Sequence, residues 1–125
     1  MERPFTINRL DHIVLRVQDL ERSIDFYTML GGQVRGTPPA GTSIAIAPGQ
    51  SIILQERPDY VPAELGAVDH INLMIRADDI HAVASYLRAN GAEIVNEDAE
   101  GRAGPTVNVR DPDGYVLEIR IDRAP

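Results

Sequence analysis

The stretch LDHIVLRV at residues 10–17 returns, barely altered, as VDHINLMI at residues 68–75. Self-similarity over so long a distance means one supersecondary unit written twice, and it constrains every local reading. In the first copy, residues 10–17 alternate as a strand. Ile13, Leu15 and Val17 lie on one face, and His12, Val14 and Arg16 on the other. QDLERSIDFYTMLGG then reads as a helix. Asp19 is its N-cap, Leu20, Ile24, Tyr27 and Met29 or Leu30 form its stripe, and Gly31-Gly32 is its stop. QVRG is extended, and SIAIAP and SIILQER are strands joined by a Pro48-Gly49 turn.

The second copy follows the same order. DHINLMI is a strand with Ile71, Leu73 and Ile75 on one face. DDIHAVASYLRANG is a helix with stripe Ile80, Val83, Ala84 and Leu87 and stop Gly91. AEIVNE is extended, and PTVNVRDPDGYVLEIRI is a hairpin through Asp113-Gly114. The hairpin's apolar face holds Val107 and Val109 before the turn, and Leu117, Ile119 and Ile121 after it. Each half is therefore β-α-β-β-β. The predicted fold class is α+β, two βαβββ modules in tandem that form a curved, barrel-like mixed sheet with the helices outside. At 125 residues the chain is expected to be a single domain, residues 1–125. Module one covers about 8–56, a Pro-rich linker about 57–67, and module two about 68–122.

Composition excludes several classes of function. The net charge is −7, which argues against nucleic acid and anionic membrane as partners. All twelve cations are arginine, so Schiff-base lysine chemistry is excluded. There is no cysteine, so disulfides, thiol catalysis and cysteine metal sites are excluded too, which suits a cytoplasmic protein. No apolar run is long enough to span a bilayer, and MERPFTINRL carries no secretory h-region.

Positions matched by the repeat are expected to converge on one axis. His12 and His70, 58 residues apart, are the first pair. Aligning SIILQ with YVLE gives the second, Gln55 over Glu118, 63 residues apart. Glu56 replaces Gln55 if the register slips by one. Imidazole and carboxylate are ligands that a borderline divalent metal accepts, with positions left for water or substrate. His12, His70 and Glu118 alone would make the facial triad of non-haem iron. Adding Gln55 suits Zn, Ni, Co, Mn or Mg. Arg16, Asn72, Asn108, Arg110 and Arg120 are expected on the same face. Two readings stay open: they bind an anionic substrate, or the arginines balance nearby carboxylates. His81, near the start of the second helix and off its stripe, is expected to be solvated.

LDHIVLRVQDLERSIDFYTMLGG, VDHINLMI and DPDGYVLEI together resemble the vicinal oxygen chelate superfamily. That superfamily includes glyoxalase I, methylmalonyl-CoA epimerase, extradiol dioxygenases and the fosfomycin- and bleomycin-resistance proteins. The resemblance implies paired βαβββ modules around a divalent metal (Zn, Ni, Co, Mn or Fe) held by His12, Gln55, His70 and Glu118. It implies a homodimer and a small carbonyl substrate, anionic if the arginines bind it. Glu118 would be the catalytic base for proton abstraction, with an enediolate stabilised by the metal, and Arg16 would hold a carboxylate. The alternatives are an iron(II) ring-cleaving dioxygenase and a non-catalytic binding protein. Asp59 stands where glyoxalases carry an asparagine, and the arginine expected before the second histidine is absent, which counts against glutathione. Val14 replaces the threonine of fosfomycin transferases, and Asn108 stands where dioxygenases carry a tyrosine.

Overall fold

A computed structural model describes residues 2–37, 41–62 and 66–123. Residues 63–65 of the expected linker lie outside them. The chain divides into two compact units, Met1–Tyr60 and Val61–Pro125, and the division falls within the span expected for the linker.

The first unit contains β1 (His12–Val17), α1 (Leu20–Met29), β2 (Gln33–Gly36), β3 (Thr42–Ala47) and β4 (Gln50–Glu56). Its four strands form one mixed sheet in the order β1-β4-β3-β2, with β1 parallel to β4 and the other pairs antiparallel. The second unit repeats this with β5 (Ile71–Ile75), α2 (Ile80–Ala89), β6 (Glu93–Asp98), β7 (Thr106–Arg110) and β8 (Val116–Ile121), in the order β5-β8-β7-β6. The α+β class and the two tandem βαβββ modules are as expected. Each sheet is open, with its own edges: β1 and β2 in the first, β5 and β6 in the second.

The helices start where the sequence places their caps. The Asp19 side chain accepts the Arg22 backbone N–H at 3.2 Å, and that of Asp79 accepts His81 N–H at 2.9 Å. The Leu20 N–H donates to Glu56 Oε2 at 2.9 Å, so Glu56 adds a second cap to α1 from the end of β4. Both helices stop at a glycine with positive φ, Gly31 at 106° and Gly91 at 80°, which a side chain would strain. The α1 stripe differs from expectation. Ser23 and Tyr27 are the residues fully buried, while Leu20, Ile24, Met29 and Leu30 are half-buried. A hydroxymethyl is small enough to let the helix approach the sheet, and hydropathy alone does not find it.

Alternation along the strands determines the cores. Leu15, Val17, Ile44, Ile52 and Leu54 are buried in the first unit, and Val107, Val109, Leu117, Ile119 and Ile121 in the second. Helix α1 packs on β2, β3 and β4, and α2 on β6 and β7. The β7–β8 turn is built by Asp111, whose Oδ1 accepts the N–H groups of Asp113 and Tyr115, both at 2.9 Å. Among the described residues no helix is long and apolar enough to cross a membrane.

Candidate metal centre

In the second unit, His70 immediately precedes β5 and Glu118 lies on β8. Glu118 pairs in register with Asn72, two residues beyond the histidine. Two residues is one full pleat, so the two side chains emerge on the same face. His70 Nε2 lies 3.5 Å from Glu118 Oε2. Two metal–ligand bonds of about 2.0–2.2 Å meeting at a right or tetrahedral angle separate their donors by roughly 2.8–3.6 Å. The pair therefore fits one divalent ion.

Glu118 is held at its other oxygen. Asn72 Nδ2 donates to Oε1 at 3.3 Å and to the Glu118 carbonyl at 2.9 Å, and Arg120 Nη1 donates to Oε1 at 3.2 Å. Oε2 is thereby left facing His70. At the imidazole, Nδ1 is 2.7 Å from Asp69 Oδ2. That hydrogen bond is the main cause of a His70 pKa above the ordinary value. The Glu118 and Asp69 charges add to it and desolvation opposes it. Among the described residues, Arg120 Nε is a buried donor with no partner.

The first unit carries the matching histidine on matching support. His12 opens β1 with Nδ1 2.9 Å from Asp11 Oδ2. Asp11 Oδ1 is 2.8 Å from Arg9 Nη1, and Arg9 also donates to the Gly49 carbonyl. The hydrogen bond with His12, and secondarily the Arg9 charge, hold the Asp11 carboxyl below its usual range.

The expected equivalence of Gln55 and Glu118 is corrected by the strand register. Val14, two residues beyond His12, pairs with Ile53; Asn72, two residues beyond His70, pairs with Glu118. Ile53 thus occupies in the first unit the place that Glu118 has in the second. Gln55 pairs with Arg16, four residues along β1 from His12. That is about 13 Å along the strand, and strand side chains stand roughly perpendicular to the sheet. Gln55 is on the expected face but at Arg16's level, away from the histidine. Glu56, the alternative, is engaged with the α1 N-terminus. Among the described residues, no three His, Asp or Glu side chains cluster as a metal site. The second unit by itself supplies two donors.

The other polar candidates divide. Asn72 and Arg120 touch Glu118 directly, and Asn108 is its register partner on β7. Asn108 Nδ2 donates to Asn96 Oδ1 at 2.8 Å. Arg110 turns away to Glu93, at 3.8 Å, and to the Gly114 carbonyl, at 3.3 Å. For Arg110 the charge-balancing reading therefore prevails over anion binding. Arg16 is exposed on β1 beside Gln55. His81 is exposed and bonds Glu97 at 3.3 Å.

Asp11 and Asp69 are the residues that reasoning from sequence passed over. Their signal was present, since His12 and His70 are both preceded by aspartate.

The sequence model of the glyoxalase/bleomycin resistance protein/dioxygenase superfamily matches residues 9–119. The chain is 36% identical over 124 residues to the lactoylglutathione lyase of Escherichia coli O157:H7, covering 89% of this chain and 90% of that one. Its fold is similar to a glyoxalase/dioxygenase crystal structure from Nostoc punctiforme, at TM-score 0.78, 24% identity and coverage of 99% and 97%. It is also similar to a mutant of the fosfomycin resistance protein FosX from Listeria monocytogenes, complexed with Mn(II) and a dihydroxypropylphosphonic acid. That match has TM-score 0.75 and 21% identity, and covers 92% of this chain and 90% of the other.

Proposed function

We propose, for a chain that belongs to the glyoxalase/bleomycin resistance protein/dioxygenase superfamily, metal-dependent catalysis of glyoxalase type on a small, anionic carbonyl compound. The observation that carries this reading is the separation of His70 Nε2 and Glu118 Oε2, 3.5 Å, with Glu118 held from its far side. In its own unit, His12, on the same aspartate support, is a further proposed ligand. A divalent ion (Zn, Ni, Co, Mn or Fe), when bound, supplies Lewis-acid stabilisation of charge on the substrate oxygens.

The chain's own residues do the rest. Glu118 is the proposed base for the proton alpha to the carbonyl: Oε1 stays fixed by Asn72 and Arg120, and Oε2, weakly held by the metal or displaced from it, takes the proton. With Ile53 where a second carboxylate would stand, one base serves both the removal and the return of the proton. Arg16 is the proposed anchor for the substrate's anionic group. The proposed working form is a cytoplasmic homodimer.

The test is metal analysis of protein purified without chelators, followed by deuterium exchange into the alpha position of 2-oxoaldehyde hemithioacetals and 2-oxo acids. One bound metal per chain, with exchange abolished in Glu118→Gln, is expected. Metal-free protein that takes up none of these ions would overturn the reading in favour of a binding module.

A second reading has its own observation. The register takes Gln55 away from His12's level, and imidazole with a single carboxylate is the donor chemistry of non-haem iron oxygenases. Oxygen uptake with catechols and ferrous iron, without deuterium exchange, is its expected signature.

A further inference from the structure

We propose that Asp11 and Asp69 are positioning residues: each binds Nδ1 of the histidine that follows it and so commits Nε2 of that ring to coordination. The inference rests on the metal reading above but concerns a property that exists without metal. A neutral imidazole carries one proton, and the nitrogen left bare is the only one able to bind a cation. A carboxylate at Nδ1 fixes the proton there, because an ionised aspartate only accepts. Without such a partner, a neutral histidine in water prefers its proton on Nε2, which is the wrong nitrogen for the geometry of this site.

Three observations converge. The Nδ1–Oδ2 separations are 2.9 Å at His12 and 2.7 Å at His70, both within ordinary hydrogen-bond range. At His70 the opposite nitrogen, Nε2, is the one that faces Glu118. Finally, the same arrangement occurs independently in both units, whose ligand positions otherwise differ, Ile53 against Glu118. The two copies thus agree on the aspartate–histidine pair while disagreeing on the carboxylate opposite it.

The aspartates are not held equally. Asp11 is tied at its second oxygen by Arg9. Asp69 is almost wholly exposed, with its side chain 97% accessible. Asp11 is the more rigid support, and Arg9 belongs to it as an outer brace.

The test is long-range proton–nitrogen NMR of the metal-free protein at about pH 9, well above the ordinary histidine pKa of about 6.5, together with Zn²⁺ calorimetry. In the unsubstituted chain, His12 and His70 are expected as the Nδ1–H form. Asp11→Ala should convert His12 alone to Nε2–H, and Asp69→Ala should convert His70 alone. Each alanine variant should weaken Zn²⁺ binding by about 10–100-fold, the usual cost of losing an outer carboxylate. Asp11→Asn and Asp69→Asn keep an acceptor oxygen and should keep the Nδ1–H form. Rings already in the Nε2–H form in the unsubstituted chain, or tautomers unmoved by the alanine changes, overturn the proposal. Failure of the unsubstituted chain to bind Zn²⁺ or any other divalent ion, with the tautomers behaving as stated, overturns the metal reading instead and leaves only the aspartates' control of the tautomer supported.

Discussion

Leu117 and Glu118 are neighbours in β8, yet the structure assigns them opposite consequences. Leu117 is fully buried, paired in register with Ile71 on one side and Val109 on the other. Leu117→Ala removes a buried side chain from a packed layer, which costs about 2–5 kcal/mol, with ~3 kcal/mol a fair centre for a residue of zero exposure. That is about a 150-fold loss in the folded-to-unfolded ratio, or roughly 1–3 M in the urea midpoint at unchanged slope. Glu118 projects from the other face, and its side chain is 23% exposed. Glu118→Gln keeps its volume and an acceptor for Asn72 and Arg120, so the stability change should stay within about 1 kcal/mol. Metal affinity should fall by more than the about 10–100-fold of an outer-shell change. The chain has no tryptophan, so unfolding is followed by far-UV circular dichroism, with Zn²⁺ calorimetry on folded protein. The reasoning is refuted if Glu118→Gln loses stability on the scale of Leu117→Ala. It is equally refuted if Leu117→Ala, still folded, loses metal as Glu118→Gln does.

Other sites yield separable expectations. Gln55→Ala should leave Zn²⁺ affinity within about twofold by calorimetry, because its register partner is Arg16 and not His12; the outer-shell loss of about 10-fold or more is the scale it must not reach. Asp79→Ala removes the cap on His81 N–H and should cost ~1 kcal/mol in urea unfolding, with metal binding unchanged. Glu97 receives Arg88 and His81 from α2; the Arg88 hydrogen bond chiefly, with His81 adding, holds its carboxyl below the ordinary 4.5 against partial burial. A lowered folded-state pKa stabilises above 4.5 and loses that contribution as pH falls through the lowered value. The stability gap between the unsubstituted chain and Arg88→Ala should therefore be open at neutral pH and close as the solution is acidified below that value. A gap independent of pH would refute the ion-pair origin.

The repeat made both modules legible, because each level of signal agreed in both copies. Alternation in LDHIVLRV and VDHINLMI, the caps Asp19 and Asp79, and the stops Gly31 and Gly91 all lie where the elements begin and end. The register of β4 was not legible, and the reason is physical. Ile52, Ile53 and Leu54 form an apolar run buried throughout, so period-two alternation has no phase there. An offset of two residues keeps every side chain on its face and leaves no trace in the pattern. It is enough, however, to move Gln55 from His12's level to Arg16's. Arg110's turn toward Glu93 was hidden for a different reason. Several acidic residues could have received it, and only the β6–β7 pairing of Glu93 with Arg110 selects one.

That same register gives Ile53 a consequence for how such a chain could change its chemistry over evolutionary time. Ile53 is 8% exposed and stands where its sister module keeps a carboxylate. A glutamate introduced there would be a desolvated anion, costly in the empty protein and compensated only by a cation. The substitution would couple folding to metal supply, since a ligand that binds only the native state stabilises it. With isoleucine there, the first module buries no such anion, and its folding carries no such dependence on a metal.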